Sequence, residues 1–248
     1  MDNKTQVLVV DLDGTLLHPE PEAIAVPGRS SYRYLSKTAA HLLAEISKVI
    51  PIVIATARNA QNIKQLVEQI PNVQFCGFVT ENGLVAKTHL SEKLAIKNDW
   101  HTIASLLPDW LQLTGYENCL GLIPPKSLES AETVLRNTLS QNGNDGYVYL
   151  DGHKIFVYPS MPSKLAGVHS LKFNPLITLG NDLNDLDVLN ASCYTATLST
   201  AHEKVKDIVY TKNGYCSSLV SHAATEDLLL WTYKQIAQLL TCSNLQQV

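Results

Sequence analysis

Short apolar runs, each followed by a stretch of helical periodicity, constrain this chain more than any other feature of it. Residues 7–10 (V-L-V-V) are wholly aliphatic and mostly β-branched, the composition of a strand buried on both faces. Residues 51–55 (P-I-V-I-A), 75–79 and 175–179 (P-L-I-T-L) are further runs of this kind, and 194–198 is a weaker one. Between the first two, residues 38–49 carry Ala39, Leu42, Leu43, Ile46 and Val49 at helical spacing. Residues 59–70 do the same with Ile63, Leu66, Val67 and Ile70 until Pro71 stops them. Strand and helix alternating in this way predict an α/β fold, a parallel sheet with crossover helices on its faces.

Residues 84–163 break the rhythm. They hold Trp100 and Trp110, the pair Pro124-Pro125 and the turn-rich segment 141–146 (Q-N-G-N-D-G). Residues 147–150 and 154–158 read as strands on either side of Asp151-Gly152, a hairpin signal. Residues 100–113 and 128–140 read as helices. The expectation is a small α+β unit inserted between the third and fourth core strands, so that 1–83 with 164–248 form the core and 84–163 the insertion. A length of 248 residues suits that division. Residues 225–240, with Leu228, Leu229, Trp231, Ile236, Leu239 and Leu240, read as a terminal helix.

The bulk numbers exclude several classes of function. A chain that is 45% hydrophobic and 17% charged packs a core and is not disordered. A net charge of -4 gives no electrostatic reason to expect nucleic acid or an anionic membrane as partner. No run reaches the roughly 18 apolar residues of a bilayer span, and the first residues lack the apolar stretch of a secretory signal. A soluble cytoplasmic protein, a monomer or small homo-oligomer, is expected. Cys76, Cys119, Cys193, Cys216 and Cys242 show no C-x-x-C spacing, and the histidines form no H-x-x-x-H pair, so no zinc site is expected.

The chemistry begins directly after the first run, at Asp11-Leu12-Asp13-Gly14-Thr15. Open parallel sheets bind ligands beyond the carboxyl ends of their strands. Two carboxylates two residues apart there repel each other unless a cation lies between them. Mg²⁺, which binds through one or two carboxylates, waters and a substrate phosphate, suits the pair. As plain structure the same residues are a strand-ending turn. After the second run comes Ala55-Thr56-Ala57-Arg58. The Thr56 hydroxyl either binds a phosphate oxygen beside a helix N-terminus or simply caps that helix; Arg58 either touches substrate or lies on the helix surface. Glu81-Asn82-Gly83, after the third run, is first of all a turn. Lys164 follows Met161-Pro162-Ser163 and opens a helix where the insertion returns to the core, and Gly180-Asn181-Asp182-Leu183-Asn184-Asp185 follows the fourth run.

In order and spacing these segments resemble the four motifs of the haloacid dehalogenase (HAD) superfamily. The likeness is to the subclass with a large α/β cap after the third core strand, the Cof-like and sucrose-phosphate phosphatase-like members. It covers essentially the whole chain, since residues 201–207 (A-H-E-K-V-K-D) and Thr211-Lys212-Asn213-Gly214 are similar to the segment following the fourth motif. The resemblance implies a Rossmann-like doubly wound parallel core with an inserted α+β cap, and Mg²⁺ as cofactor. It implies that Asp11 is the nucleophile and Asp13 the general acid and base, with Asp11 and the Asp13 backbone carbonyl on the metal. Thr56, Ala57 and Arg58 fall in the phosphate-binding second motif, where Ala57 replaces the usual Gly. Lys164 matches the lysine that neutralises the phosphate, and Asn184 falls on the phosphate-binding side of the fourth motif. That motif, G-D-x-x-N-D in the family, departs here. Aligned on Asn184-Asp185, Asn181 is the ligand, with Asp182 and Asp185 supporting the cation or orienting its waters. The alternative is that Asp182 takes over through a one-residue shift of the turn.

The expected activity is hydrolysis of a small phosphorylated metabolite, by the resemblance a sugar phosphate, through an aspartyl-phosphate on Asp11, with the insertion closing as a lid. His153, Lys154 and Tyr149 near the hairpin, and Arg29 and Arg33 before the first helix, are candidate specificity groups, although each by itself reads first as a surface residue. A phosphomannomutase-like phosphotransferase would share Asp11 and differ only in the acceptor, but the chain shows no second phosphate clamp. A binding or regulatory module impaired at Asn181 is the non-enzymatic alternative. Intact Asp11, Asp13, Thr56 and Lys164 speak against it.

Overall fold

The computed structural model describes residues 4–28, 31–92, 100–126 and 130–245, with side chains to residue 241. The chain forms two compact units, Met1–Leu90 with Ser163–Val248, and Ser91–Pro162. The larger unit begins with β1 (Thr5–Val10), a hairpin of β2 (Ile24–Pro27) and β3 (Tyr32–Leu35), α1 (Lys37–Ser47), β4 (Ile52–Ala55), α2 (Ala60–Gln69), β5 (Phe75–Thr80) and β6 (Val85–Lys87). The smaller unit holds α3 (His101–Ser105), β7 (Leu111–Leu113), β8 (Leu120–Ile123), α4 (Ala131–Gln141), β9 (Tyr147–Asp151) and β10 (Lys154–Tyr158). The larger unit resumes with α5 (Lys164–Ser170), β11 (Phe173–Leu179), α6 (Leu186–Ala191), β12 (Tyr194–Leu198), α7 (Glu203–Thr211), β13 (Tyr215–Ser217) and α8 (Ser221–Leu245).

Among the described residues the larger unit builds a seven-stranded sheet in the order β13-β12-β11-β1-β4-β5-β6. It is parallel except for β6, which runs antiparallel to β5. Successive residues of a strand face opposite ways, and here both faces are apolar. Leu8 and Val10, with Ile52, Ile54, Ile177 and Leu179, pack against α1, α2 and α8 through Leu43, Ile63 and Leu228. Val7 and Val9, with Val53, Ala55 and Val79, pack against α5 and α6 through Val168 and Val188. Helices on both faces make the sheet doubly wound. In β11, Pro175 lacks the N–H that a central strand needs, and the β1–β11 register shifts beside it, between Val7 and Leu8.

The strand order positions the site. From β1 the chain proceeds to β4 and β5 on one side and, after the insertion, to β11 on the other side of β1. Such a reversal opens a crevice at the carboxyl ends of the strands. The segments after β1, β4, β5 and β11 therefore gather around one place.

Among the described residues the smaller unit builds a four-stranded antiparallel sheet, β7-β8-β10-β9. Trp100, Ile103, Leu135 and Leu139 pack on Leu120, Leu122, Ile155 and Val157. Gly152 turns the β9–β10 hairpin with φ +59°. The helix expected over 100–113 stops at Ser105, and Leu111–Leu113 is a strand. Pro108 is the reason: its ring disfavours helical backbone before it and removes a donor. The helix expected over 128–140 is α4, and its first expected turn lies partly outside the described residues. The β2–β3 hairpin lies in the segment before the first helix, where no element was expected. No helix among the described residues is long and apolar enough to cross a membrane.

Candidate active site

The loop after β1 is fixed at both ends. The Asp11 N–H donates to the Leu179 carbonyl at 2.9 Å, tying the end of β1 to β11. The N–H groups of Thr15, Leu16 and Leu17 then converge on the Leu12 carbonyl at 3.2, 2.8 and 2.8 Å, winding the loop into a tight coil. Gly14 is required twice over: its φ is +81°, and a Cβ there would lie 2.3 Å from the Asn181 side-chain amide. At the end of β4, the Thr56 N–H donates to the Val79 carbonyl at 2.9 Å, and the Thr56 carbonyl accepts from the Asn82 N–H at 3.0 Å. Lys164 is the first residue of α5, behind Ser163, whose hydroxyl accepts from the Ala166 N–H at 3.0 Å. Gly83, with φ +104°, runs so close to the Ser163 carbonyl that a Cβ would lie 1.8 Å from it.

The charged groups divide into two sets. The fully buried Lys164 donates from Nζ to Asp11 Oδ1 at 2.7 Å and to Asp185 Oδ1 at 2.6 Å. The other oxygen of Asp185 accepts from the N–H groups of Asn181 at 2.9 Å and Asp182 at 3.1 Å. Burial pushes the Asp11 carboxyl up to about 7; Lys164 opposes that rise and the charge of Asp185 adds to it. Burial alone would lower Lys164, but Asp11 and Asp185 outweigh it and hold the ammonium above the ordinary lysine range. In the second set, the buried Arg58 grips the exposed Asp13 with two bonds, Nε to Oδ2 and Nη2 to Oδ1, both 2.6 Å. Arg58 Nη1 donates to the Pro27 carbonyl at 3.1 Å. Arg33, on β3, brings its Nε to 3.8 Å from Asp13 Oδ1.

Between the two sets lies a cradle of oxygens. One terminal atom of the Asn181 amide sits 3.2 Å from Asp11 Oδ2, 3.2 Å from the Asp13 carbonyl oxygen and 3.0 Å from Thr15 Oγ1. An amide oxygen in that place is satisfied when a cation lies among the three oxygens. Among the described residues no group of three or more His, Cys, Asp or Glu side chains is set to hold a metal. One carboxylate, one backbone carbonyl and one amide nevertheless suit an ion that keeps most of its waters, so the donor set fits Mg²⁺.

The expected residues fall out as follows. Asp11, the Asp13 carbonyl and Asn181 come together. Asp182 does not join them: it is exposed and its carboxylate caps the Leu183 N–H at 2.7 Å. Asp185 acts on Lys164 and on the turn, with both oxygens engaged. Thr56 is buried and does not cap α2, which starts at Ala60 behind Asn59. Its hydroxyl accepts from the Arg58 N–H at 3.2 Å, leaving its own proton to be given to a ligand. Ala57 is half-buried beside it. Arg58 is buried rather than on the helix surface, and Asp13 and Pro27 take three of its five N–H donors. Asn184 donates to Asn82 Oδ1 at 3.0 Å, joining the turns after β5 and β11. Of the specificity candidates, Lys154 lies 3.9 Å from Asp151, Tyr149 rests against Tyr158, His153 is exposed, and Arg29 lies outside the described residues. Thr15 and Asn82 were not singled out as site residues. The signal for Asn82 was its N-G turn, which takes φ +55°.

Residues 8–107 match the family model of haloacid dehalogenase-like hydrolases. Among solved structures, a haloacid dehalogenase-like hydrolase from Bacteroides thetaiotaomicron is similar with a TM-score of 0.69 and 14% identity, covering 92% of this chain and 100% of that one. The sucrose-phosphatase of Synechocystis sp., in complex with sucrose and phosphate, is similar with a TM-score of 0.58 and 14% identity over 94% and 98% of the two chains. A trehalose-6-phosphate phosphatase related protein gives 0.58 and 12% over 94% and 99%. No curated protein sequence matches. The matched residues hold the first two motifs and the shared fold spans nearly the whole chain, so both agree with the resemblance seen in the motifs. The fold is the one shared with the sucrose-phosphatase of Synechocystis.

Proposed function

We propose that this protein is a Mg²⁺-dependent phosphatase of small phosphorylated metabolites, sugar phosphates first among them, working through a phosphorylated Asp11. The observation that carries the reading is the buried Lys164, whose ammonium joins Asp11 to Asp185 while the other Asp11 oxygen faces the Asn181 cradle. A carboxylate so placed has the Lys164 ammonium on one side and, with Mg²⁺ bound, would have a second cation on the other, the neutralisation that an incoming phosphate dianion requires. Asp11, the Asp13 carbonyl and Asn181 would hold Mg²⁺, which supplies charge neutralisation of the phosphate and of the attacking carboxylate.

The residues then divide the work. Lys164 and the Thr56 hydroxyl bind phosphate oxygens and set phosphorus in line with Asp11. An Asp11 oxygen attacks phosphorus, the ester P–O bond breaks, and Asp13 gives its proton to the departing alkoxide. Water next attacks the same phosphorus, the bond to Asp11 breaks, and Asp13 takes the proton of that water. The sugar-phosphate preference draws on the sucrose-phosphatase and the trehalose-6-phosphate phosphatase related protein that share the fold.

The test is release of phosphate from an aryl phosphate and from a panel of sugar phosphates, with Mg²⁺ and with chelator. Hydrolysis is expected only with Mg²⁺, and Asp11→Asn is expected to reduce kcat by about ten-thousand-fold or more while the protein stays folded. Turnover near wild type in that variant sinks the assignment of Asp11.

A further inference from the structure

The fourth-motif turn carries Asn181 where an acid was expected, and its hydrogen bonds say more than that a charge is missing. The backbone is pinned: its N–H donates to Asp185 Oδ2 at 2.9 Å and its carbonyl accepts from the His202 N–H at 2.9 Å. Gly14 leaves the space into which the side chain reaches. Only the terminal amide is left to choose, and the last torsion of Asn is broad and nearly two-fold.

The two choices differ in what they satisfy. With nitrogen inward, the NH₂ group reaches the Thr15 hydroxyl at 3.0 Å and Asp11 Oδ2 and the Asp13 carbonyl at 3.2 Å each. The single Thr15 proton then goes to Asp11 Oδ2, 3.3 Å away, and every group has a partner. With oxygen inward, Thr15 donates to Asn181 at 3.0 Å, but the same oxygen faces two other acceptors and needs a cation among them. An aspartate could adopt only the second arrangement.

We propose that Asn181 is a two-state amide, with its NH₂ group capping the Asp11 and Asp13 oxygens in the cation-free protein and its oxygen turned inward when Mg²⁺ binds. This rests on the reading of the cradle as a Mg²⁺ site. It makes Asn181 a positioning residue for the cation: it keeps the empty cradle free of like-charge repulsion and weakens the hold on Mg²⁺ in exchange, because its own N–H bonds must break first.

The experiment uses the full chain, Mg²⁺ alone as probe, and wild type beside Asn181→Asp and Asn181→Ala. With ¹⁵N-labelled asparagine, the Asn181 side-chain NH₂ pair, assigned by its loss in Asn181→Asp, should move saturably with Mg²⁺ at the affinity calorimetry gives. Asn181→Asp should melt about 3–8 °C lower than wild type in chelator, bind Mg²⁺ about tenfold or more tighter, and regain its stability with it. Asn181→Ala should melt closer to wild type than Asn181→Asp does and bind Mg²⁺ about tenfold or more weakly. An NH₂ pair that stays still while calorimetry shows binding overturns the two-state amide and leaves the phosphatase reading standing, as does an Asn181→Asp protein that melts like wild type in chelator. If wild type binds no Mg²⁺ at millimolar concentration, the reading of the site falls and the amide proposal with it.

Discussion

Asp11 and Asp13 stand two residues apart on one loop, yet they occupy opposite kinds of environment. Asp11 is 6% exposed, bound to a lysine with no exposure at all, and raised to about 7 by that burial. The Asp13 side chain is 45% exposed, gripped by an arginine that is itself only 7% exposed. The buried half is a fixed charge network in which every ion has a partner, whereas the open half anchors its cation in the protein and leaves the carboxylate toward water. That difference suits two jobs. A group that must form and break a bond to phosphorus gains from immobility and low dielectric, while one that must exchange protons with leaving group and water gains from access. In the proposed mechanism identical side chains take different roles because their surroundings differ.

Removing the central cation of the buried half should give the largest effect. Lys164→Met leaves Asp11 and Asp185 buried without their shared partner, an arrangement that costs about 3–5 kcal/mol. Chemical denaturation in chelator measures it, and phosphatase activity should be lost as well. A variant as stable as wild type would mean that the network is not held by charge. In the open half the corresponding change is milder. Arg58→Ala should cost less stability than Lys164→Met, about 1–2 kcal/mol, because the Asp13 carboxylate it leaves behind is open to water. It should lower kcat about 10–100-fold with KM nearly unchanged, as loss of a positioning partner does. Arg58→Lys should recover only part, since one ammonium cannot reproduce two parallel bonds. If Arg58→Ala keeps full kcat, Asp13 needs no holding and the comparison loses its second term.

The sequence carried the buried half better than the open half, for a physical reason. A strand covered on both faces must be a continuous apolar run, so 7–10 and 175–179 announce themselves, and the acids that follow them mark the crevice. Lys164 was placed by its position in the series of motifs. Arg58 was not legible: its partner is 45 residues earlier, and nothing local distinguishes a buried guanidinium from one on a helix surface. The hairpin that supplies the Pro27 carbonyl was missed although Tyr32 and Tyr34 alternate, because four-residue strands with prolines nearby give too little period to read. The misread helix at 100–113 shows the converse, a helical spacing accepted across Pro108. Asn181 was legible only as a departure, since the sequence shows a missing charge but not which amide atom faces inward.

The loop that joins the two halves has one more support, and it gives the smallest expected effect. Thr225 on α8 donates to the Thr15 carbonyl at 2.6 Å. A carbonyl can only accept, so that bond uses the single proton of the Thr225 hydroxyl. His18, with Nε2 2.7 Å from the same hydroxyl, must therefore be the donor to it. Burial, then the neighbouring His222, holds His18 below the ordinary histidine value, with Glu20 opposing and Arg33 adding slightly. The sign follows from linkage. As pH falls through about 6.5 the unfolded chain takes up a proton that the folded protein resists, so stability is lost from there down to the folded value and levels off below it. For one group the slope cannot exceed about 1.4 kcal/mol per pH unit. Denaturation of wild type and His18→Gln in chelator at pH 7.5 and 5.5 isolates it, and the variant should lose less stability on acidification. Equal losses in the two proteins would mean that the join between the halves is indifferent to His18, leaving Thr225 alone to hold the loop.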